Sequence, residues 1–435
     1  MDKIITPRRL NGFVELSPEK QLQFDEMKNK IIDVFNRHAF MPLDTPILEL
    51  SEILLAKSGG DIDKEVYRFS KGSTDMCMRY DLTVPLARYV AMNLNDLNFP
   101  FKRYQIGKVF RGERPQKGRL REFYQCDADI IGNEQLSLVN DADCVCLFSD
   151  CFKALNLDSV VEISNRKLIN GLIKDLKLTE LSEEIFKTLD KLDKIGEDGV
   201  RATLLAAGVN QQAADKLLLL GKNKGSLKDI LPKIQDLSNS EEYKLGLQEL
   251  SELDSYLTAM GLTENDYIYN LSIIRGHNYY TGTVFEAFLK GHRDFGAVGG
   301  GGRYDNLASY YTTTKLPGVG MSIGLSRLFD QLLANNLLPS VNKTSTKVLL
   351  IPLGDTVLFC LNLCKDLRNN NIVADVLSEN KSFKAKMKDA NKKGVPYIIV
   401  VGDDEVKTQT FALKNMSTGE QENLTKENLI KKMQR

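Results

Sequence analysis

Apolar residues recur at helical spacing along residues 17–40, where Phe24, Met27, Ile31, Val34 and Phe35 form one stripe. Ser17 is placed to cap this helix, with Pro18 at its first position and Glu19 in its first turn. The stretch FMPLDTPILELSEIL then leads from the helix into a strand expected to end near Pro46. Further on, Arg79 to Thr83 starts as a strand and Pro85 lies just inside a following helix, so Asp81 reads equally as a helix-start residue. Leu136 to Leu155 predicts a buried helix and VVEISNR a strand. From about Lys167 to Gly261 the pattern is helical throughout, with Lys/Glu-rich outer faces and no strand-like alternation. Strands resume in YIYNLSIIRGHNYYTGTVFEAFL. Gly299 to Gly302 predict a tight bend where backbones approach closely, and no GxxxxGK[ST] phosphate loop occurs. PGVGMSIGLSRLFDQLLANN reads as a short strand and a helix from about Ser322. After the polar linker NLLPSVNKTS, strands KVLLIPLG, NIVADVLS, PYIIVVG and TFALKNM alternate with helices, which predicts a mixed sheet.

The most informative alternation lies in FKRYQIGKVFRGERPQKGRLREFYQCDADIIG, residues 101–132, a hairpin about the polar loop Arg114–Gly118. Strand side chains alternate between faces. Arg111 and Glu113 share one face of the first strand, and Arg119, Arg121, Phe123, Gln125, Asp127 and Asp129 share one face of the second. Leu120, Tyr124, Cys126, Ala128 and Ile130 form an opposite, mostly apolar face suited to a core. Clustered arginines around one aromatic ring, with two carboxylates beyond, suit a polyphosphate, a planar base and a cationic amine together.

Composition narrows the options. At 435 residues the chain exceeds one ordinary core and predicts two or three domains. Its 58 Lys/Arg balance 58 Asp/Glu, so any nucleic-acid contact must come from local patches. From Lys347 onward 15 Lys/Arg face 11 Asp/Glu, a mild local bias of that kind. The seven cysteines make no paired CxxC units, and with only His38, His277 and His292 available no protein-held metal site is expected. No apolar run approaches the roughly 20 residues of a membrane span, and MDKIITPRRL lacks the apolar core of a signal peptide. A cytoplasmic protein is the expectation.

FRGERPQKGRLREFYQCDADIIG resembles motif 2 of the class II aminoacyl-tRNA synthetases, in the form carried by the histidyl-tRNA synthetase family. FMPLDTPILELSEIL is similar to motif 1, PGVGMSIGLSRLFDQLLANN to motif 3, and IIRGHNYYTGTVFEAF to a segment specific to the histidyl family. The last α/β unit is similar to the anticodon-binding domain shared by the histidyl, glycyl, prolyl and threonyl enzymes. The resemblance implies an α+β catalytic domain, an antiparallel sheet flanked by helices, over residues 1–166 and 262–336. It implies an all-helical insertion over 167–261 and an anticodon-binding α/β domain over 345–435.

The implied reaction is histidine–tRNA ligation, with ATP as substrate, Mg²⁺ as its counterion, tRNA(His) as partner and a homodimer built through motif 1. By the resemblance Arg111 and Arg275 are catalytic. Asp81, Thr83, Arg111, Gln125, Asp129, Arg275, Tyr279 and Tyr280 bind histidine. Arg111, Glu113, Arg121, Phe123 and Arg327 bind ATP. Asp81-Leu82-Thr83 stands where some members have Glu-Gly-Thr. The other reading is a non-catalytic relative, a regulatory subunit of histidine biosynthesis or a tRNA sensor, but such relatives typically lose motif arginines or the last domain.

Overall fold

The computed structural model describes residues 4–56, 64–114, 118–273, 280–305, 308–338 and 343–434. Two compact units emerge: Met1–Val14 with Met27–Leu337, and Glu15–Glu26 with Leu338–Arg435.

In chain order the strands of the first unit are β1 (Met41–Pro42), β2 (Leu48–Leu50), β3 (Arg68–Lys71), β4 (Thr74–Met78), β5 (Phe101–Phe110) and β6 (Glu122–Ile131). They continue as β7 (Ser159–Asn165), β8 (Lys224–Gly225), β9 (Tyr267–Asn270), β10 (Tyr280–Leu289), β11 (Gly299–Tyr304) and β12 (Gly318–Ile323). Nine of them form one sheet in the order β1-β5-β6-β12-β11-β10-β7-β9-β8, and β2-β4-β3 form a small second sheet. All neighbours in the large sheet are antiparallel except β1 with β5 and β7 with β9.

The expected amphipathic helix forms as Pro18–Arg37, and Ile31, Val34 and Phe35 of its stripe are fully buried. The strand expected up to Pro46 is shorter. It is cut back to β1, and β2 begins only after Pro46 and in the other sheet, because Pro46 lacks the N–H that a continuous ladder requires. Similarly, β4 stops at Met78 and the next helix, Thr83–Met92, starts after Asp81. The segment 167–261 is helical apart from β8, whose two residues pair with β9 at the sheet edge.

The glycine run corrects an expectation. Gly299 to Gly302 lie inside β11, in extended backbone, instead of at a bend. The close approach itself is real. A Cβ on Gly301 would sit 2.2 Å from the Gly320 carbonyl oxygen and 2.7 Å from the Phe285 ring, and one on Gly299 would sit 2.6 Å from the Ser322 carbonyl oxygen. Neighbouring backbone cannot yield as a flexible side chain can. Gly301→Ala is therefore expected to destabilise the first unit by about 3 kcal/mol or more. Urea unfolding checks it; an unchanged midpoint would mean that the strands part at little cost.

The second unit carries β13 (Val348–Pro352), β14 (Ala374–Val376), β15 (Tyr397–Val401), β16 (Thr410–Asn415) and β17 (Gln421–Thr425), ordered β14-β13-β15-β16-β17. The first three are mutually parallel and the last two antiparallel, the mixed sheet that the pattern predicts. Val348, Leu350, Cys360, Leu363 and Leu367 are among its core residues. The pattern overlooked β17, where only Leu424 is buried, and the one-and-a-half-turn helix Asp403–Thr408 that follows β15. No helix among the described residues is long and apolar enough to cross a membrane.

Candidate active site

The β5–β6 hairpin pairs Arg103 with Asp129, Gln105 with Asp127, Gly107 with Gln125 and Val109 with Phe123. Phe123, Gln125, Asp127 and Asp129 face a cleft of about 640 Å³, whereas Cys126, Ala128 and Ile130 are fully buried. Gly299, Gly300 and Gly301 of β11 and the Gly320–Ser322 stretch of β12 form the adjoining wall. Its glycines leave room for a ligand against the backbone.

At the rim, the Arg111 guanidinium lies 4.4 Å from the Tyr80 ring centroid and 5.1 Å from that of Phe123, and its Nε donates to the Tyr80 carbonyl at 3.3 Å. Tyr80 donates its hydroxyl to Glu65 Oε2 at 2.8 Å, and burial pushes the phenol up to about 12. Glu113 pairs with Arg119 at 3.0 Å, and both line the cleft. Arg121 does not. Its Nε donates to the Glu113 carbonyl at 3.0 Å and its stem lies against Gly12. Of the two arginines that alternation puts on one face, the structure brings Arg119 to the cleft, which corrects the assignment of Arg121 there. Arg327 lies in the first turn of helix Leu325–Ala334, which starts three residues later than expected because Ser322 still belongs to β12. Its Nη2 donates to the Phe295 carbonyl at 2.9 Å, so a full charge joins the partial positive charge of the helix start at the cleft wall.

The floor is acidic and buried. Asp129 forms an ion pair with the fully buried Arg103 at 2.6 Å and accepts from the Tyr304 hydroxyl at 2.8 Å. Asp127 accepts from Ser322 Oγ at 2.5 Å, and that hydroxyl accepts from Gln125 Nε2 at 2.9 Å. Gln125 Oε1 is buried with no hydrogen-bond partner among the described residues. An orphaned buried acceptor beside carboxylates is suited to a cationic donor. Asp81 accepts from the backbone N–H groups of Thr83 (3.1 Å) and Val84 (2.9 Å), so it caps the helix and lines the cleft at once. Thr83 and Tyr280 also line the cleft, whereas Arg275 and Tyr279 lie outside the described residues.

Burial pushes the Asp127 carboxyl up to about 7, against the opposing pull of Arg103, and burial likewise raises Asp129. A carboxyl raised in the folded state holds its proton there after the unfolded chain has released it. Its stabilisation is thus complete below pH 4 and is lost as pH rises through about 7. Asp127→Asn should flatten stability over that window, where the slope reaches at most about 1.4 kcal/mol per pH unit. Unfolding at pH 5 and pH 8 measures it; equal pH dependence in both proteins would place the titrating group elsewhere.

Reading from residue pattern alone did not single out Arg103, Tyr304 or Ser322. For Arg103 a signal existed, since folding the hairpin about its loop sets it opposite Asp129.

An antiparallel sheet that presents a motif-2 hairpin beside a glycine-rich strand and a motif-3 helix start is the catalytic fold of a class II aminoacyl-tRNA synthetase. The histidyl-tRNA synthetase family profile matches residues 12–328, and an anticodon-binding-domain profile matches residues 347–435. The chain is similar to the histidine–tRNA ligase of Clostridium tetani, at 44% identity over 98% of both chains, and to that of Finegoldia magna, at 43% identity over 99% of this chain and 100% of the other. Among solved structures, it is similar to histidyl-tRNA synthetase from Nostoc sp., with a TM-score of 0.92 and 33% identity over 99% of this chain and 100% of that one. The chain belongs to the histidyl-tRNA synthetase family.

Proposed function

We propose that this chain activates histidine with ATP and transfers the product to the 3′ end of tRNA(His). In the first step a histidine carboxylate oxygen attacks the α-phosphorus, and the bond to the bridging oxygen breaks to release pyrophosphate. In the second, a terminal ribose hydroxyl of the tRNA attacks the adenylate carbonyl and AMP leaves. The observation that carries this reading is the unpartnered Gln125 Oε1, in the same cleft as Asp127 and the Arg111 fork. A substrate ammonium satisfies the first pair and a carboxylate next to a phosphate satisfies the fork.

Arg111 holds the α-phosphate and the carboxylate together, a positioning and electrostatic role. Arg275, as the family resemblance implies, meets the same phosphate from the opposite side. Glu113 accepts from the adenine amino group and Phe123 stacks on the ring. Arg327 and Arg119, the latter in place of Arg121, take the distal phosphates. The cleft suits Mg²⁺, since Glu65 lines it and would offer the ion a hard oxygen ligand. When bound, that ion neutralises phosphate charge. Asp129, fixed by Arg103 and Tyr304, orients the imidazole with Tyr280 and Tyr279. Asp81, Thr83 and Gln125 hold the ammonium. A site whose polar groups are left unpaired by other amino acids rejects them without editing.

In the same reading, the chain works in the cytoplasm as a homodimer. Its catalytic parts are residues 1–166 and 262–336, the insertion 167–261 reaches the acceptor end, and residues 345–435 read the anticodon. ATP–pyrophosphate exchange by the purified protein with each of the twenty amino acids, without tRNA, tests it. Exchange that requires histidine alone is expected. Silence with all twenty, from protein that still binds histidine or tRNA, would favour a regulatory subunit.

A further inference from the structure

We propose that His38, Cys146 and Asp150 form a binding site for a divalent transition metal of the zinc type, separate from the cleft. None of the three lines the cleft. His38 follows Arg37, the last residue of the first helix, at a turn where Ala39 adopts a positive φ of 60°. Cys146 and Asp150 are four residues apart on helix Val139–Ala154, with Asp143 three residues before Cys146, so all three share one helix face. One ligand atom from each of His38, Cys146 and Asp150 lies within 4.8 Å of the others, and His38 Nε2 is 3.1 Å from Asp150 Oδ2. A tetrahedral ion with ligands at about 2.0–2.3 Å has edges of about 3.3–3.8 Å, so the longest edge need contract by only about 1 Å.

The surroundings supply what a ligating imidazole requires. Its other nitrogen, Nδ1, is 3.3 Å from Asp143 Oδ1, and Asp143 is in turn held by Lys102. A carboxylate on the second nitrogen fixes both the tautomer and the ring plane of a metal-bound histidine. The nitrogen, sulfur and oxygen set favours zinc-type ions over magnesium or calcium, which prefer all-oxygen shells. Three protein ligands leave the fourth position to water, and all three are partly exposed, which gives the ion a way in. Without metal, the imidazole bridges Asp143 and Asp150. An ion displaces the proton from Nε2 and from the Cys146 thiol, so binding releases protons. Such a site ties the turn after the first helix to helix Val139–Ala154. Sequence spacing hides it, because His38 and Asp150 are 112 residues apart and no paired cysteine unit marks the place.

Titration of the full chain with Co²⁺, after chelator treatment, tests the proposal. The expected result is one saturable equivalent, visible bands of a four-coordinate ion, a thiolate-to-cobalt charge-transfer band in the near ultraviolet, and loss of both on adding Zn²⁺. Cys146→Ser should remove the charge-transfer band, since the other six cysteines are buried. His38→Gln and Asp150→Asn should weaken binding by at least about tenfold. Asp143→Asn, which touches the ring and not the ion, should weaken it by about 10–100-fold with the charge-transfer band retained. Far-UV circular dichroism and the thermal midpoint of each variant separate lost ligands from lost folding, and Asp150→Asn is the mildest of the four. No saturable equivalent in the unmodified chain, or an undiminished band in folded Cys146→Ser, would overturn the site.

Discussion

Arg111→Ala is expected to slow histidine-dependent ATP–pyrophosphate exchange by about 10²–10³-fold, a loss of roughly 3–4 kcal/mol of transition-state stabilisation. The guanidinium is held between the Tyr80 and Phe123 rings and by the Tyr80 carbonyl, so its fork is oriented before substrate arrives. Pre-orientation is what makes a fixed cation effective, since no reorganisation is needed as charge develops on the α-phosphate. The folded state gives up the ring contacts, about 1–2 kcal/mol, and the hydrogen bond to the Tyr80 carbonyl, about 1 kcal/mol. Arg111→Lys separates charge from geometry. An ammonium keeps the charge but cannot span a phosphate and a carboxylate with two parallel N–H donors, so exchange should stay well below the unmodified rate. The loss should fall on kcat as well as kcat/KM, because the interaction strengthens along the reaction. A decrease of less than tenfold in Arg111→Ala would assign the α-phosphate to another residue.

Where the residues themselves announced their surroundings, the reading from pattern was reliable. The hairpin was legible because the odd positions Phe123 to Asp129 are polar or aromatic while the even positions Cys126, Ala128 and Ile130 are apolar, a local signal of two faces. Arg119 and Arg121 share the same parity, so alternation could not choose between them; both precede β6, and Arg121 lies against Gly12 and the Glu113 carbonyl. The glycine run carries no side chains, so it gave no alternation and read as a bend, although its neighbours Gly320 and Phe285 demand a strand. Asp81 was ambiguous for a physical reason, since one carboxylate both caps a helix and lines the cleft. Arg103 sits among Lys102, Tyr104 and Gln105, a stretch that looks solvated. Hairpin register sets Arg103 opposite Asp129, but the long-range arrival of Tyr304 at the same aspartate, which completes the buried polar floor, carries no local signal.

That floor yields the second large effect. Arg103→Met is expected to destabilise the first unit by about 3–5 kcal/mol near neutral pH, because it leaves Asp129 and Asp127 buried without their cation. The Arg103 Nη2 that pairs with Asp129 also donates to the Leu82 carbonyl at 3.2 Å, just before the helix that begins at Thr83. Burial already raises both carboxyls while Arg103 opposes it, so its removal raises them further. By linkage the variant is least impaired at low pH, where both carboxyls are protonated in the folded and unfolded chains alike. Its deficit should therefore grow as pH rises above about 4. Protonation of Asp129 would also remove the charge that orients the imidazole, so KM for histidine should rise at least about tenfold while KM for ATP changes little. Combining Arg103→Met with Asp129→Leu should recover part of the stability, as burying an apolar pair in place of an ionic one often does, yet leave histidine-dependent exchange abolished. Recovery of stability without recovery of exchange would assign the ion pair to substrate selection. If Arg103→Met alone keeps the unmodified KM for histidine, Asp129 holds its place without the arginine and Tyr304 becomes the group that fixes it.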